Sequence, residues 1–136
     1  MSPERAQTFL RWILMIIGCG LMVAYLFVLL PSSQMASIHN WLGLGEFPER
    51  PISFYLARST SLLYGVHGTV MFIVGFRWSK YADLAPLFGW LHVVIGIAML
   101  VIDLTSGMPW WWSAGEGVPI AATGLLIVWL AKKANA

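Results

Sequence analysis

The sequence has very little charge and almost no cysteine. Of its 136 residues, 10% are charged and 59% are hydrophobic, whereas a soluble domain carries about 25% charged residues. This shortage excludes an ordinary soluble domain and indicates an integral membrane protein. The single cysteine, Cys19, excludes an intrachain disulfide and any site built from several cysteines. Its apolar surroundings predict a small buried residue.

The local patterns of common active sites are also missing. The sequence contains no phosphate-binding glycine loop, no spacing typical of a metal site and no nucleophile placed beside a base. Its net charge of +2 comes from basic residues at segment ends rather than from a continuous stripe, so nucleic acid is not an expected partner. We therefore expect a non-enzymatic protein without a metal or cofactor.

Four apolar segments make up most of the chain, at residues 9–30, 52–76, 84–104 and 113–131. About 20 residues cross a hydrocarbon core of ~30 Å, so each segment is predicted to be a transmembrane helix of one domain. The first is too long for the ~7–15-residue core of a secretory signal. Apolar residues at helical spacing over 33–42 predict a short interfacial helix, with a structureless loop as the alternative.

The start of the fourth helix has two interpretations. A start at Pro119 leaves about 13 residues before Lys132, or roughly 20 Å, which is too short to span. A start at Ser113 gives an adequate length and makes Ser113 and Glu116 a capping box. That start places Pro119 inside the helix, where it must kink the backbone.

Basic residues are unevenly distributed between the segment ends. With the N-terminus in the cytoplasm, six of the eight basic residues face the cytoplasm and four of the six acids lie toward the outside. The positive-inside rule then predicts an up-down-up-down four-helix bundle with both termini cytoplasmic. We expect a bacterial-type inner membrane as its location.

Two opposite charges, Arg58 and Asp103, lie inside apolar segments and at similar predicted depths. A lone charge there costs ~2.5–3.5 kcal/mol, so we expect the two to pair. One interpretation is a structural clasp, with Glu116 as an acid favoured at a helix start. The other is a polar cavity of Arg58, Asp103 and Glu116 that binds a headgroup, an ion or a lipophilic molecule. Trp110–Trp112 is then a lid, or alternatively an interfacial anchor.

Two histidines, His67 and His92, are predicted at nearly equal depth, and two imidazoles at one level can ligate a b-type haem. Helix rotation opposes this alternative. Arg58 and His67 are nine residues apart and so lie on opposite faces, whereas His92 and Asp103 are eleven apart and share a face. Pairing the charges therefore turns His67 away from His92. We expect no haem, and we expect His67 to be hydrogen-bonded within the bundle, with Tyr64 one turn away.

Small residues recur along three of the segments and predict close helix packing. They are Ala57, Ser61, Gly65, Gly68, Gly89, Gly96, Ala121 and Gly124. A second pattern links the two halves of the chain. Trp12, Gly18 and Pro31 recur as Trp90, Gly96 and Pro109, each 78 residues later, which favours a parallel repeat of two helical hairpins.

The order of motifs resembles that of the small four-helix membrane proteins of the DoxX-like group. The chain has a long outer loop, then Arg58 and the Gly-x-x-Gly pattern of Gly65 and Gly68, then a basic turn, then Asp-x-x-x-Gly-x-Pro at Asp103, Gly107 and Pro109. The resemblance covers most of the chain and implies a fold, not a reaction. The Trp triplet and the two histidines are not part of that pattern.

Three roles are consistent with these features. The first is a non-enzymatic accessory or partner-binding component of a membrane assembly, as a homo-oligomer or within a larger complex. The second is a redox component linked to quinone or haem through His67 and His92. The third is a small transporter or lipophilic-ligand binder that uses the predicted charge cluster. In all three the lipid bilayer is a partner.

Overall fold

The structure is a computed structural model that describes residues 1–134. Within those residues every regular element is helical. Four segments are long and apolar enough to cross a membrane, namely Pro3–Leu29, Pro51–Phe76, Trp78–Thr105 and Trp110–Ala134. This confirms the predicted all-helical class with four candidate membrane spans.

The first span consists of two helices, α1 (Pro3–Met22) and α2 (Ala24–Leu29). They meet at Val23, whose N–H donates to the carbonyl of Gly20, three residues back, at 3.2 Å. Such a bond tightens the backbone locally and interrupts the regular ladder. Helix α2 ends because Pro31 follows, and the residue before a proline is driven to extended backbone. Leu30 accordingly has a ψ of 135°.

A short helix, α3 (Ser32–Trp41), follows Pro31 and covers nearly the range predicted for the interfacial helix. Its Met35 is buried, and the chain then turns through Gly43 and Gly45. These glycines have φ of 73° and 84°, a left-handed conformation that glycine adopts at little cost.

The second and third spans surround a compact turn. Helix α4 (Pro51–Phe76) is continuous over 26 residues, and Pro51 occupies its first position, where a missing N–H costs no helical bond. A single-turn helix, α5 (Trp78–Tyr81), and a 3₁₀ turn lead to α6 (Ala85–Thr105). Helix α6 ends in a Schellman motif: Gly107 has a φ of 71°, and the N–H of Met108 donates to the carbonyl of Asp103 at 3.0 Å.

The fourth span differs from both sequence interpretations. It is split into α7 (Trp110–Gly115) and α8 (Gly117–Ala134). Ser113 lies inside α7 rather than at a helix start, so the predicted capping box is wrong. Pro119 is the third residue of α8, where backbone N–H groups have no intrahelical acceptor. The proline therefore neither starts the helix nor kinks it.

The two prolines of the predicted repeat have matching surroundings. Pro31 has φ −57° and ψ 145°, and Pro109 has φ −57° and ψ 144°. Each directly precedes a short helix, α3 or α7. The proposed repeat thus has a counterpart in local backbone structure.

The described chain divides into two compact units, which we call the middle unit (residues 16–72) and the terminal unit (residues 1–15 with 73 onward). Eleven of the thirteen buried hydrophobic residues identified in the described chain belong to the terminal unit, among them Leu10, Leu14 and Ile127. The middle unit contributes only Met35 and Met71. Its interior is formed largely by glycine backbone and polar side chains.

Facing glycines bring α6 and α8 into backbone contact in the terminal unit. A Cβ on Gly124 would lie 2.6 Å from the carbonyl oxygen of Gly89, and one on Gly96 would lie 2.7 Å from that of Gly117. The glycines are seven residues apart on each helix, the repeat that keeps one seam between two packed helices. The packing predicted for Gly89, Gly96 and Gly124 is confirmed.

In the middle unit a similar contact joins α1 to α4. A Cβ on Gly18 would lie 2.7 Å from the carbonyl oxygen of Gly68, and one on Gly68 would lie 2.6 Å from that of Gly18. Cys19, the next residue, is exposed, which corrects the expectation of a buried cysteine. A step of ~100° per residue turns residue 19 away from the face that Gly18 presents to α4.

Candidate functional site

Arg58 is half-buried in the middle unit and is held by backbone. Its Nη2 donates to the carbonyl oxygen of Leu30 at 3.1 Å. That carbonyl is available because Pro31 has no N–H and ends α2. The C-terminal end of a helix also carries partial negative charge, which favours a guanidinium. Sequence reasoning looked only for a carboxylate partner and missed this one, although Pro31 was the signal.

The Nε atom of Arg58 is buried and has no hydrogen-bond partner among the described residues. Arg58 therefore keeps a donor that its contact with Leu30 does not use. Tyr64 and His67, the predicted polar residues of the same helix, are half-buried.

A polar chain that the sequence did not predict supports the α1–α2 side of this unit. Thr69 donates its hydroxyl hydrogen to the carbonyl of Gly65 at 2.9 Å. The hydroxyl of Tyr25 lies 3.0 Å from the Thr69 oxygen and must then be the donor of that pair. The ring of Tyr25 covers Gly65, where a Cβ would lie 2.5 Å from the ring. Glycine at this position thus makes room for the tyrosine.

In the terminal unit, His92 is buried at 5% exposure. Its Nδ1 lies 2.8 Å from the carbonyl oxygen of Phe88, one turn earlier. A carbonyl only accepts, so Nδ1 carries the hydrogen and the neutral ring keeps its lone pair on Nε2. This is the tautomer that can ligate a metal through Nε2. Among residues 1–134, no group of three His, Cys, Asp or Glu side chains is arranged to hold a metal ion.

Asp103 and Ser113 are the two other buried polar residues of this unit, at 3% and 4% exposure. Asp103 lies in the last turn of α6 and Ser113 lies in α7. Neither Asp103 Oδ2 nor Ser113 Oγ has a hydrogen-bond partner within the described chain. Two unsatisfied oxygens therefore lie where α6 passes into α7, which we call the α6–α7 corner (residues 103–113). Ser113 entered the sequence analysis only as a cap.

The Trp triplet does not act as one surface. Trp110 is 80% exposed, whereas Trp112 is half-buried. The Nε1 of Trp112 donates to the Oε2 of Glu116 at 2.6 Å, a short bond of the kind that a charged acceptor forms. Trp110 thus suits an anchor, while Trp112 fixes the carboxylate of Glu116. The four-residue spacing of this pair in a helix was the sequence signal that we overlooked.

The predicted site residues divide between the two units. Arg58, Tyr64 and His67 belong to the middle unit; His92, Asp103, Glu116 and the Trp triplet belong to the terminal unit. The pairing of Arg58 with Asp103 stays a prediction. What the coordinates add is an environment for each charge that sequence could not supply.

Comparison with protein-family models, with curated proteins and with solved structures gave no significant match. The resemblance to the DoxX-like group therefore remains an expectation based on short motifs.

Proposed function

We propose that the protein is a non-enzymatic accessory component of a membrane assembly, and that its first span binds a transmembrane helix of a partner protein. The four spans form an up-down-up-down bundle of the DoxX-like kind, in a bacterial-type inner membrane with both termini cytoplasmic. The orientation rests on the distribution of basic residues.

The observation that carries this proposal is the low burial of the first span. Only 11% of its most apolar window is buried within the chain, against 28–33% for the other three spans. The exposed stripe on α1 consists of Ile16, Cys19, Gly20 and Val23, which recur at helical spacing along one face.

The centre of this stripe consists of small residues. Gly20 has no atom within 4 Å of the position of an added Cβ, whereas Gly18, Gly68, Gly96 and Gly124 all face backbone atoms closer than 3 Å. Glycine in a helix costs about 1 kcal/mol relative to alanine. In lipid, small residues allow a neighbouring helix to approach closely. A partner helix seated on Gly20 makes use of a residue that the chain itself leaves without a contact.

A photo-crosslinking amino acid tests this proposal in membranes. We expect the crosslinker at Ile16, which is 65% exposed, to capture protein. The same group at Val94 of α6, which is 63% exposed, should capture lipid only. The mass of the adduct separates a second copy of this 15.1 kDa chain from a different protein. Equal yields of protein adduct at both positions would contradict a specific role for α1.

Cysteine labelling tests the orientation. In a Cys19→Ala background, cysteines at Ser33 and Ser106 should react with an impermeant maleimide in intact cells, and a cysteine at Ser79 should not. All three serines are exposed, so access to reagent differs only through the membrane. Labelling at Ser79 would reverse the orientation while leaving the partner proposal open.

A second candidate function, binding of a small amphiphile at the charged residues Arg58, Asp103 and Glu116, is favoured by one observation. Arg58 Nε and Asp103 Oδ2 are buried atoms without a hydrogen-bond partner in the described chain. Buried polar groups normally have a partner, and exceptions call for an explanation such as a bound molecule or water. Identification of lipids that co-purify with wild type, but not with Asp103→Asn, would support this role.

The haem alternative is tested by the absorbance spectrum of the purified protein. We expect no Soret band, because helix rotation opposes the pairing of His67 with His92. A Soret band that disappears in both His67→Ala and His92→Ala would establish the redox candidate instead.

A further inference from the structure

We propose that the α6–α7 corner binds a neutral hydroxyl group of an amphiphile, with Asp103 and Ser113 as its two polar contacts. The proposal rests on the second candidate function and is independent of partner binding by α1. It concerns Asp103 Oδ2 only, so the predicted pairing of Asp103 with Arg58 is a separate matter.

The first argument is the arrangement of hydroxyl groups elsewhere in the chain. Thr8, Ser37 and Thr69 each donate to the carbonyl four residues earlier in their own helix. Thr105, beside Asp103, donates to the carbonyl of Val101 at 2.8 Å. Ser113 has the same option at Pro109 but does not take it, because its Oγ has no hydrogen-bond partner in the described residues. Its hydroxyl is therefore directed away from its own backbone.

The second argument is that the corner is rigid. The carbonyl of Asp103 accepts from Met108 at 3.0 Å, and the N–H of Ser113 donates to the carbonyl of Pro109 at 3.3 Å. Backbone bonds therefore fix both residues on either side of one tight turn. Since both side chains are at least 96% buried, bulk water does not supply the missing contacts.

The third argument is chemical complementarity. A carboxylate oxygen only accepts hydrogen bonds, whereas a serine hydroxyl both donates and accepts. One guest hydroxyl satisfies both residues, because it donates to Asp103 and accepts from Ser113. A guest that carries only acceptors leaves Asp103 unsatisfied. The next two residues toward the chain start, Trp111 and Trp112, present aromatic surface, which suits a guest with an apolar body.

The test measures melting temperature in lauryldimethylamine oxide, a detergent without hydroxyl groups. The probes are 1-dodecanol and dodecyl methyl ether, which share the apolar chain while only the alcohol can donate. We expect the alcohol to raise the melting temperature of the wild type by about 3 °C or more, a shift that excess ligand produces in a small domain. The ether should produce no comparable rise.

Two variants and a matched control assign the effect. Asp103→Asn and Ser113→Ala should each lose at least about half of the alcohol shift, because each removes one partner of the guest hydroxyl. Thr105→Val deletes a hydroxyl that is satisfied by its own helix and should retain the full shift. Ser113→Ala decides alone if Asp103→Asn fails to fold.

Several results would overturn the proposal: equal shifts with alcohol and ether, no shift in wild type, or a full shift in Ser113→Ala. Phosphatidylglycerol and phosphatidic acid with equal acyl chains then distinguish the natural source, since only the former carries glycerol hydroxyls. Stabilisation by phosphatidylglycerol over phosphatidic acid indicates a lipid headgroup, and stabilisation by dodecanol alone indicates a free alcohol. Either supports the site, and neither depends on what α1 captures.

Discussion

The α6–α8 pair and the α1–α4 pair meet at facing glycines, yet they are stabilised differently. Between α6 and α8, two glycine contacts lie seven residues apart and are flanked by buried Ile127 and Val128. Between α1 and α4, one facing pair, Gly18 with Gly68, is accompanied by a tyrosine packed over glycine and by the Tyr25–Thr69 hydrogen bond. The first pair depends on shape, and the second combines shape with polar contacts.

This difference matters in a bilayer because lipid tails are as apolar as leucine. Helix association there depends on van der Waals packing and interhelical hydrogen bonds rather than on the hydrophobic effect. An aliphatic seam is therefore inert, whereas a seam with polar groups can also bind. We expect stability to be concentrated at α6–α8 and sensitivity to polar substitution at α1–α4.

The largest effect is expected from the two charges, one on α4 of the second pair and one on α6 of the first. Arg58→Ala and Asp103→Ala should each lower the melting temperature in detergent, since a stranded charge in a bilayer costs ~2.5–3.5 kcal/mol. The double mutant should be less damaged than the sum of the singles. A double-mutant thermal cycle measures this coupling. Strict additivity would show that the predicted pair does not form, and that the two helix pairs are not linked by charge.

The next effect tests the shape-dependent pair. Gly96→Ala places a methyl group 2.7 Å from the carbonyl oxygen of Gly117, and backbone cannot move aside as a side chain can. Overpacking of this kind costs typically ~1–3 kcal/mol. The matched control is Gly20→Ala, which meets nothing within 4 Å and should be neutral or stabilising. Equal melting temperatures for the two variants would mean that α6 and α8 are not in backbone contact.

The corresponding change in the other pair is Gly68→Ala, whose new methyl group would lie 2.6 Å from the carbonyl oxygen of Gly18. We expect a loss of melting temperature of the same sign but smaller than for Gly96→Ala. The reason is that α1 and α4 have one facing glycine pair and additional polar contacts that survive the change. A larger loss than for Gly96→Ala would reverse the comparison between the pairs.

The smallest effect concerns the polar contact itself. Tyr25→Phe removes the hydroxyl that bonds Thr69 while keeping the ring over Gly65, and a net hydrogen bond is worth about 1 kcal/mol. We expect a small loss of thermal stability. Tyr55→Phe is the control, because Tyr55 is 64% exposed. Identical behaviour of the two variants would show that the Tyr25 bond adds nothing to the α1–α4 contact.

Sequence was most informative where a single residue type has one physical meaning. Runs of apolar residues predicted the four spans, and small residues predicted the close packing at Gly89, Gly96 and Gly124. Gly107, four residues after Asp103, marked the Schellman turn before any coordinates were known. Each of these follows from local chemistry and needs no knowledge of neighbouring segments.

Contacts between distant segments were not predictable in the same way. The bond from Arg58 to Leu30 depends on a carbonyl freed by Pro31, and carbonyls carry no sequence signature. Ser113 was assigned to a cap because Ser-x-x-Glu is a common helix start. A helix already begins at Trp110, so the pattern occurred without its usual context. Cys19 was misplaced because its neighbours in sequence do not reveal which face of α1 is covered.

The short connection between α6 and α8 also has a consequence for the order of assembly. The Gly96–Gly117 contact closes a loop of about 20 residues, whereas the Gly18–Gly68 contact closes one of about 50. Loop-closure entropy rises with the logarithm of length, and contacts of short sequence separation form faster. The last two spans should therefore zip together soon after synthesis, before the first two have settled. A nascent chain arrested after Ala134 would be expected to resist proteolysis first at α6–α8.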